Sequence, residues 1–398
     1  MPKVMRIINR FNLGGPTYNV AYLSKYLDPE FETMLVGGLK DKTEDSSEFI
    51  VDQLGLSPVV IPDMKREINF QRDKAAFREI KKLMRQFKPD IVHTHASKAG
   101  TLGRLAASQL KVPVILHTFH GHVFHSYFGP VKTKFYKGVE RYLANKSTRI
   151  IAISDIQKKE LVDIHGICPA DKVAVVPLGF DLDRFQVDKV AKRKEFRAAY
   201  NIGEDEIAIG IIGRLVPIKN HRLFLQAIRK IQDETTKKVR AYIIGDGESR
   251  QEIEQMAKDL QLNYTTEMNP QVVKPLTFTS WIRQVDWVYH GLDLVALTSF
   301  NEGTPVSLIE AQACNKPVVS TNVGGIGNVV MENKTALLAD VSDIDGFSNH
   351  LLRLVEDDKL RHEMGQAGWE HVKERYHYSR LVEDVRGLYR QLLKENGR

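Results

Sequence analysis

Cysteine is nearly missing from this chain: Cys168 and Cys314 are the only two in 398 residues. They lie far apart and in no metal or redox spacing. That excludes a disulfide scaffold and a thiolate metal module, and it indicates a reducing cytosol. Long apolar runs are missing too. No window approaches the roughly 18–20 uninterrupted apolar residues of a membrane-spanning helix. The opening residues Met1 to Asn9 lack the apolar core of a signal peptide and read at once as a first strand. Neither G-x-G-x-x-G nor the P-loop pattern occurs, which argues against dinucleotide dehydrogenases and P-loop kinases. Asp181-x-Asp183 and Asp343-x-Asp345 read as turn residues rather than metal ligands.

Apolar residues make up 42% and charged residues 27%, as in a soluble globular protein. The chain is too long for one ordinary core, so two domains are expected. The net charge of +7 is unevenly spread. Lys65–Lys88 holds nine basic and three acidic residues, and His125–Arg149 holds six basic and one acidic. Their combined excess of 11 positive charges is larger than that of the whole chain, so the remainder is slightly acidic. A basic face confined to one region suggests an anionic partner there. Within the first segment, Lys74–Lys88 reads as an amphipathic helix. Ala76, Phe77, Ile80, Leu83, Met84 and Phe87 share one face, and Lys74, Arg78, Lys81, Lys82, Arg85 and Lys88 dominate the other. The second segment interleaves its charges with Phe124, Tyr127, Phe128, Phe135, Tyr136 and Tyr142. Such interleaving raises nucleic acid as a partner. The tract sits inside a repeating α/β pattern and matches no nucleic-acid module. A lipid-phosphate acceptor or an anionic membrane surface fits it better.

The sharpest stretch runs from Ser299 to Ala311. Leu292 to Leu297 before it and Asn315 to Ser320 after it read as buried parallel strands. The middle is then a loop opening a helix, with Thr304 expected as N-cap and Pro305 at the first helical position. The amides of Gly303, Thr304, Val306 and Ser307 are left without intrahelical partners, a ready anion site. Glu302 stands before that end, and Glu310 is expected about two turns along the helix. Two carboxylates beside an anion site suit a ligand with phosphate in the middle and hydroxyls on both sides, as in a nucleotide sugar. Upstream, Ile207 to Ile212 is a strand ending in Gly213-Arg214, and Lys219 follows five residues later. Two fixed cations at a strand's carboxyl end suit phosphate oxygens. Further upstream, strands end in His93-Thr94-His95 and in His117-Thr118-Phe119-His120-Gly121-His122. Histidines 117, 120, 122 and 125 invite a metal reading. No carboxylate or thiol joins them, and strand alternation points some apart.

Glu302-Gly-Thr-Pro-Val-Ser-Leu-Ile-Glu310-Ala, with seven residues between the glutamates, resembles the signature of retaining GT-B glycosyltransferases. More narrowly it resembles glycosyltransferase family 4, which includes many enzymes of bacterial capsule, O-antigen and glycolipid assembly. Gly213-Arg214-Leu215 with Lys219 resembles the family's Gly-Arg-Leu-x-x-x-Lys element, which neutralises the donor diphosphate. Thr118-Phe119-His120-Gly121 resembles the loop whose histidine faces the donor sugar. Gly14-Gly15 loosely resembles the family's glycine-rich loop, and Trp281 stands near where the family holds the nucleobase. Pro177-x-Gly179-x-Asp181-x-x-x-Phe185 resembles the exit from the first domain.

The resemblance implies an α/β, GT-B fold: two facing Rossmann-like α/β/α domains with a C-terminal helix crossing back to the first domain. Residues 1–185 would face acceptor or membrane, 186–376 would bind the donor, and 377–398 would form the returning helix. The implied reaction moves a sugar with retention from a nucleotide-sugar donor, a UDP-sugar, to a polysaccharide-precursor or lipid-linked acceptor. It would use no metal and no cofactor. His120, Arg214, Lys219 and Glu302 would be the catalytic set. Gly14, Gly15, Gly213, Trp281, Gly303, Thr304, Pro305, Val306, Ser307 and Glu310 would complete the donor site, with Glu302 on sugar hydroxyls and Glu310 on the ribose. Lys98, Lys132, Lys134 and Lys137 would face acceptor or membrane. The expected location is the cytoplasm, with peripheral attachment to the inner face of the cell membrane. Two other readings stand beside it: a nucleotide-sugar 2-epimerase, which shares the fold, and a catalytically silent subunit that only docks a partner enzyme on membranes. The intact Arg214, Lys219, Glu302 and Glu310 argue against the second.

Overall fold

Strands and helices alternate throughout the computed structural model, which describes residues 1–11, 15–38, 48–65, 67–121, 130–268 and 271–397. The chain forms two units, one of Met1–Phe180 with Tyr376–Arg398 and one of Asp181–Arg375.

The first unit is built on seven strands: β1 (Lys3–Arg10), β2 (Glu32–Gly38), β3 (Val59–Val60), β4 (Ile91–His95), β5 (Val114–Phe119), β6 (Arg149–Ala152) and β7 (Val173–Val175). They pair in the order β3-β2-β1-β4-β5-β6-β7, and the pairs are parallel. Every residue of β4 and β5 is buried, as in a parallel sheet covered on both faces. The helix Phe70–Phe87 starts four residues before the expected Lys74. Asn69 caps it, its side chain accepting from the Gln71 and Arg72 amides at 3.1 Å. The cap recruits residues 70–73 as a first turn that apolar spacing alone does not announce.

The helix Tyr378–Glu395 closes this unit. Leu381, Val382, Val385, Tyr389, Leu392 and Leu393 pack against Val4, Leu23, Leu27, Phe31, Ile91 and Leu116. Burying an apolar side chain contributes about 1.5–3 kcal/mol, so this helix supplies on the order of 10 kcal/mol of gross burial. The resemblance implied that the last helix returns to the first domain, and it does. The chain leaves and re-enters at one point: Phe180 N–H donates to Tyr376 O at 2.8 Å, and Tyr378 N–H donates to Phe180 O at 3.0 Å. Phe185 already belongs to the second unit, buried edge-on against Tyr289. The units therefore divide at 180/181 and 375/376, ahead of the expected 185/186 and 376/377.

The second unit carries β8 (Glu206–Ile212), β9 (Lys238–Ile244), β10 (Tyr264–Thr265), β11 (Leu276–Phe278), β12 (Leu294–Leu297), β13 (Val318–Thr321) and β14 (Ala336–Ala339). Their order is β10-β11-β9-β8-β12-β13-β14, again in parallel pairs. The order reverses at β8, with β9 on one side and β12 on the other. In open α/β sheets ligands bind outside the carboxyl ends of the strands at such a reversal. In the first unit the equivalent point lies between β1 and β4.

Candidate active site

At the carboxyl ends of β8 and β12 the two strands hand the chain to polar loops that grip each other. The 3-10 turn Pro217–Lys219 follows β8. The Thr298 hydroxyl donates to Lys219 O at 2.8 Å, and Phe300 N–H donates to Ile218 O at 2.9 Å. These bonds set Lys219 Nζ 2.5 Å from Glu302 Oε1. Ser299 Oγ donates to the same oxygen at 2.5 Å. Thr298 and Ser299 are fully buried, and the Thr321 hydroxyl holds the Ser299 carbonyl at 2.8 Å. A lysine carries three donors, so Lys219 can keep Glu302 and still reach a phosphate. Arg214 is exposed and pairs with no described side chain.

Two glycines let the surrounding backbones touch. Gly245 has φ +134, and a Cβ there would lie 2.0 Å from Gly213 O. Its absence brings the β9 turn against the β8 turn, where Leu215 N–H donates to Asp246 O at 2.9 Å. Gly324 has φ +53, and a Cβ there would lie 2.1 Å from Glu302 O. Gly325 N–H donates to that carbonyl at 2.9 Å and pins the Glu302 loop from the β13 side.

The helix after β12 is Val306–Ala313. Pro305, with ψ 100, occupies the cap position, and Thr304 makes no capping bond. The expected start one residue earlier is therefore corrected: the pinned loop keeps Pro305 extended. Glu310 falls on the fifth helical residue, about 6 Å along the axis from Val306. The amides of Gly303, Thr304, Val306 and Ser307 find no partner among the described residues. With the helix dipole behind them such amides can take an anion, and Lys219 is tied to the loop just before them through Glu302. Glu310 is partly buried. Tyr289 OH donates to Glu310 Oε2 at 3.1 Å and to Ser307 O at 3.0 Å. Burial raises the Glu310 carboxyl to about 7, against the lowering effects of Arg184 and Tyr289. Further along the row of strand ends, the loop after β11 is held by Arg250, which donates to Thr279 O at 2.7 Å. Trp281 stands there as a half-open apolar plate, 39% exposed.

The first unit gathers histidines at the ends of β4 and β5. Strand alternation puts His93 and His95 on one face and Thr94 on the other. His117 bonds Thr94 through Nδ1 at 2.9 Å. On the opposite face His95 Nδ1 lies 2.9 Å from His120 Nε2. Arg6 donates to Tyr389 OH at 2.9 Å, and that hydroxyl lies 2.6 Å from His93 Nδ1. Arginine only donates, so the Tyr389 oxygen accepts from Arg6, and giving its hydrogen to His93 Nδ1 is the arrangement that satisfies both groups. His93 Nε2–H then donates to Thr118 Oγ1 at 2.7 Å. Burial holds all four rings below the ordinary histidine range, His120 at about 4. Among the described residues no three His, Cys, Asp or Glu side chains are grouped to hold a metal ion. His122 and His125 lie outside the described residues.

Residues 13–184 match the model of Glycosyltransferase Family 4, and residues 192–371 match that of Glycosyl transferases group 1. A UDP-Gal:alpha-D-GlcNAc-diphosphoundecaprenol alpha-1,3-galactosyltransferase of Escherichia coli is 30% identical over 330 residues, covering 83% of this chain and 82% of its own. The chain belongs to the family 4 glycosyltransferases. The capsular polysaccharide biosynthesis glycosyltransferase CapM of Staphylococcus aureus is 25% identical over 345 residues, 83% of this chain and 85% of its own. Anabaena HepE, crystallised in complex with UDP, superimposes with a TM-score of 0.76 over 98% of this chain and 100% of its own, at 18% identity. That likeness is one of fold.

Within this glycosyltransferase, Gly213, Arg214, Lys219, Glu302, Gly303, Thr304, Pro305, Val306, Ser307 and Glu310 gather at the β8 and β12 ends, and Trp281 lies two strands away beyond β9. Gly15 opens the helix Gly15–Tyr26 after β1, and Gly14 lies outside the described residues. Lys132 and Lys134 are exposed on the helix Pro130–Lys146, and Lys137 is half-buried. Lys98 is different. Its ammonium is 2.7 Å from Asp73 Oδ1 and also donates to Glu67 O, with the side chain 12% exposed. It staples the starts of two helices together instead of standing on an open basic face. Sequence reasoning passed over Ser299, Tyr289, Gly324, Gly325, Arg6 and Tyr389. The glycine pair after β13 and the His-x-His alternation of β4 were the available signals. The others become visible only through contacts across the sheet.

Proposed function

We propose that this glycosyltransferase moves a sugar from a UDP-sugar to a lipid-linked or polysaccharide-precursor acceptor, with retention and without a metal. The observation that carries the reading is the Lys219–Glu302 pair at 2.5 Å, beside the open amides of the helix Val306–Ala313. Arg214, Lys219 and the amides would take the charge developing on the departing diphosphate, in place of a metal ion. Glu302 would hold sugar hydroxyls, Glu310 the ribose and Trp281 the base. His120 would face the donor sugar, as its motif suggests. The Escherichia coli relative is named for UDP-Gal and a diphosphoundecaprenol acceptor, and the Anabaena neighbour was solved with UDP. Both support the choice of uridine.

A thermal-shift panel of UDP, GDP, ADP and their sugars tests the donor. A ligand that binds only the folded state raises the midpoint, and UDP should raise it most. A larger shift with GDP or ADP would overturn the uridine assignment. Transfer should persist in excess chelator, and NMR of the product should show the donor's anomeric configuration. A new isomeric nucleotide sugar formed without acceptor would replace this reading by the epimerase.

An anionic membrane surface is the proposed setting. The helix Pro130–Lys146 exposes Val131 (83%), Phe135 (67%) and Tyr142 (55%) along one stripe, with Lys132 and Lys134 beside it. No described helix is long and apolar enough to cross a membrane. An apolar stripe flanked by lysines suits a helix lying in the headgroup region.

A further inference from the structure

Tyr289 has one hydroxyl hydrogen and two acceptors within reach. Its oxygen lies 3.0 Å from Ser307 O and 3.1 Å from Glu310 Oε2. Ser307 is the second residue of the helix Val306–Ala313, where the amide four residues on serves its carbonyl. Glu310 Oε2 has no other donor among the described residues. An ionised carboxyl only accepts, so the Tyr289 hydrogen is needed at Glu310. Tyr289 is fully buried on the helix Val285–Gly291, its ring edge-on to Phe185 with centres 6.0 Å apart. Its hydroxyl therefore reaches Glu310 from a fixed place. The other carboxyl oxygen is different. Glu310 Oε1 bonds to no described residue and is not among the buried polar atoms that lack a partner, so it faces solvent. Glu302 is divided in the same way. Lys219 Nζ and Ser299 Oγ both take its Oε1 at 2.5 Å, and its Oε2 is left open.

We propose that Tyr289 is a positioning residue of the donor site: its hydroxyl holds Glu310 Oε2 and so turns Oε1 outward to the ribose. This rests on the reading of Glu310 given above. The gain is preorganisation. A glutamate side chain is rotamer-rich, and one tethered before the ligand arrives has less freedom to lose on binding. The same geometry serves the protonated carboxyl. That form donates to the Tyr289 oxygen while Tyr289 donates to Ser307 O, so the carboxyl keeps its place in both charge states.

Tyr289→Phe removes the hydroxyl and keeps the ring. Titration calorimetry of the full-length chain at pH 8 should show UDP affinity about 3–10-fold weaker. In the Glu310→Ala background the same change should alter UDP affinity by less than about twofold, because nothing is left to position. Equal losses in both backgrounds would reduce Tyr289 to a packing residue and overturn the proposal. Wild-type UDP affinity in Glu310→Ala alone would instead overturn the ribose reading, and the proposal with it. A pH series on Tyr289→Phe gives a second readout. The acid-side fall in UDP affinity should move to higher pH, since the ionised carboxyl has lost a donor. Arg184 on the turn Asp183–Phe185, Asp286 on the helix Val285–Gly291 and Cys314 after the helix Val306–Ala313 also act on Glu310, and they are unchanged in this variant. A fall that stays in place would overturn the proposal. A third test needs no variant. A crystal structure of the wild type with UDP should place the ribose on the Glu310 oxygen away from Tyr289, with the Tyr289 bond intact. Ribose on the Tyr289-bound oxygen, or a broken bond, would overturn the proposal, whereas ribose away from Glu310 would overturn the ribose reading.

Discussion

Glu310 carries a pH signature that follows from its place behind the helix start. Burial raises its carboxyl from 4.5 to about 7. The ionised form accepts hydrogen bonds from ribose hydroxyls more strongly and through both oxygens, whereas the protonated form gives one of them up to an O–H. UDP affinity should therefore fall about tenfold between pH 8 and pH 6. Glu310→Gln should bind UDP more weakly at pH 8 and lose this dependence; a wild-type slope in titration calorimetry of that variant would assign the dependence elsewhere. The same shift acts on stability with a definite sign. The folded state holds the proton that the unfolded chain releases, so this group's contribution is lost as pH rises from about 4.5 to about 7. At the phosphate end, Arg214→Ala or Lys219→Ala should lower kcat by about 10²-fold or more, the scale of one preorganised charge contact. A raised KM with intact kcat would reduce them to binding groups.

Two elements carry predictions of their own. On the helix Pro130–Lys146, reversing Lys132, Lys134 and Lys137 to Glu should release the protein from anionic vesicles in sedimentation assays. UDP binding in the other unit should be spared. Wild-type binding should weaken with added salt, since screening shortens to about 8 Å at physiological ionic strength. Sedimentation indifferent to lipid charge would return this face to an ordinary solvated surface. At the corner between β4 and Ser97–Gln109, Ala96→Gly should stabilise the fold by about 1 kcal/mol. Glycine adopts φ 66, ψ 160 without the alanine's clash, and part of that gain is offset by the freer unfolded chain. An unchanged or lowered midpoint in denaturant unfolding would show that the corner is not strained.

At the scale of the molecule, the first unit depends on residues from both ends of the chain. Tyr389→Phe leaves Arg6 and His93 without the hydroxyl that joins them. It should cost about 1–3 kcal/mol, the price of unsatisfied buried groups, and unfolding followed by tryptophan-independent circular dichroism would measure it. Much of this architecture was legible in advance. The Gly213-Arg214 and Lys219 element and the Glu302 to Glu310 stretch each lie within one strand, one loop and one helix start. Spacing along so short a path determines where the side chains emerge, because backbone geometry allows few alternatives. Helix boundaries were less legible: Asn69 capping and the pinned Pro305 shifted two starts, because end geometry depends on single hydrogen bonds. What the sequence could not determine was partnership. His93 meets Tyr389 across 296 positions, and Glu302 meets Lys219 across 83. The Lys98 ammonium was free to face a lipid until Asp73 took it, and Glu310 was an ordinary carboxylate until folding set it beside Tyr289 and away from water. Burial and pairing decide the charge state of each group, and both are properties of surfaces brought together by folding, which local spacing does not encode.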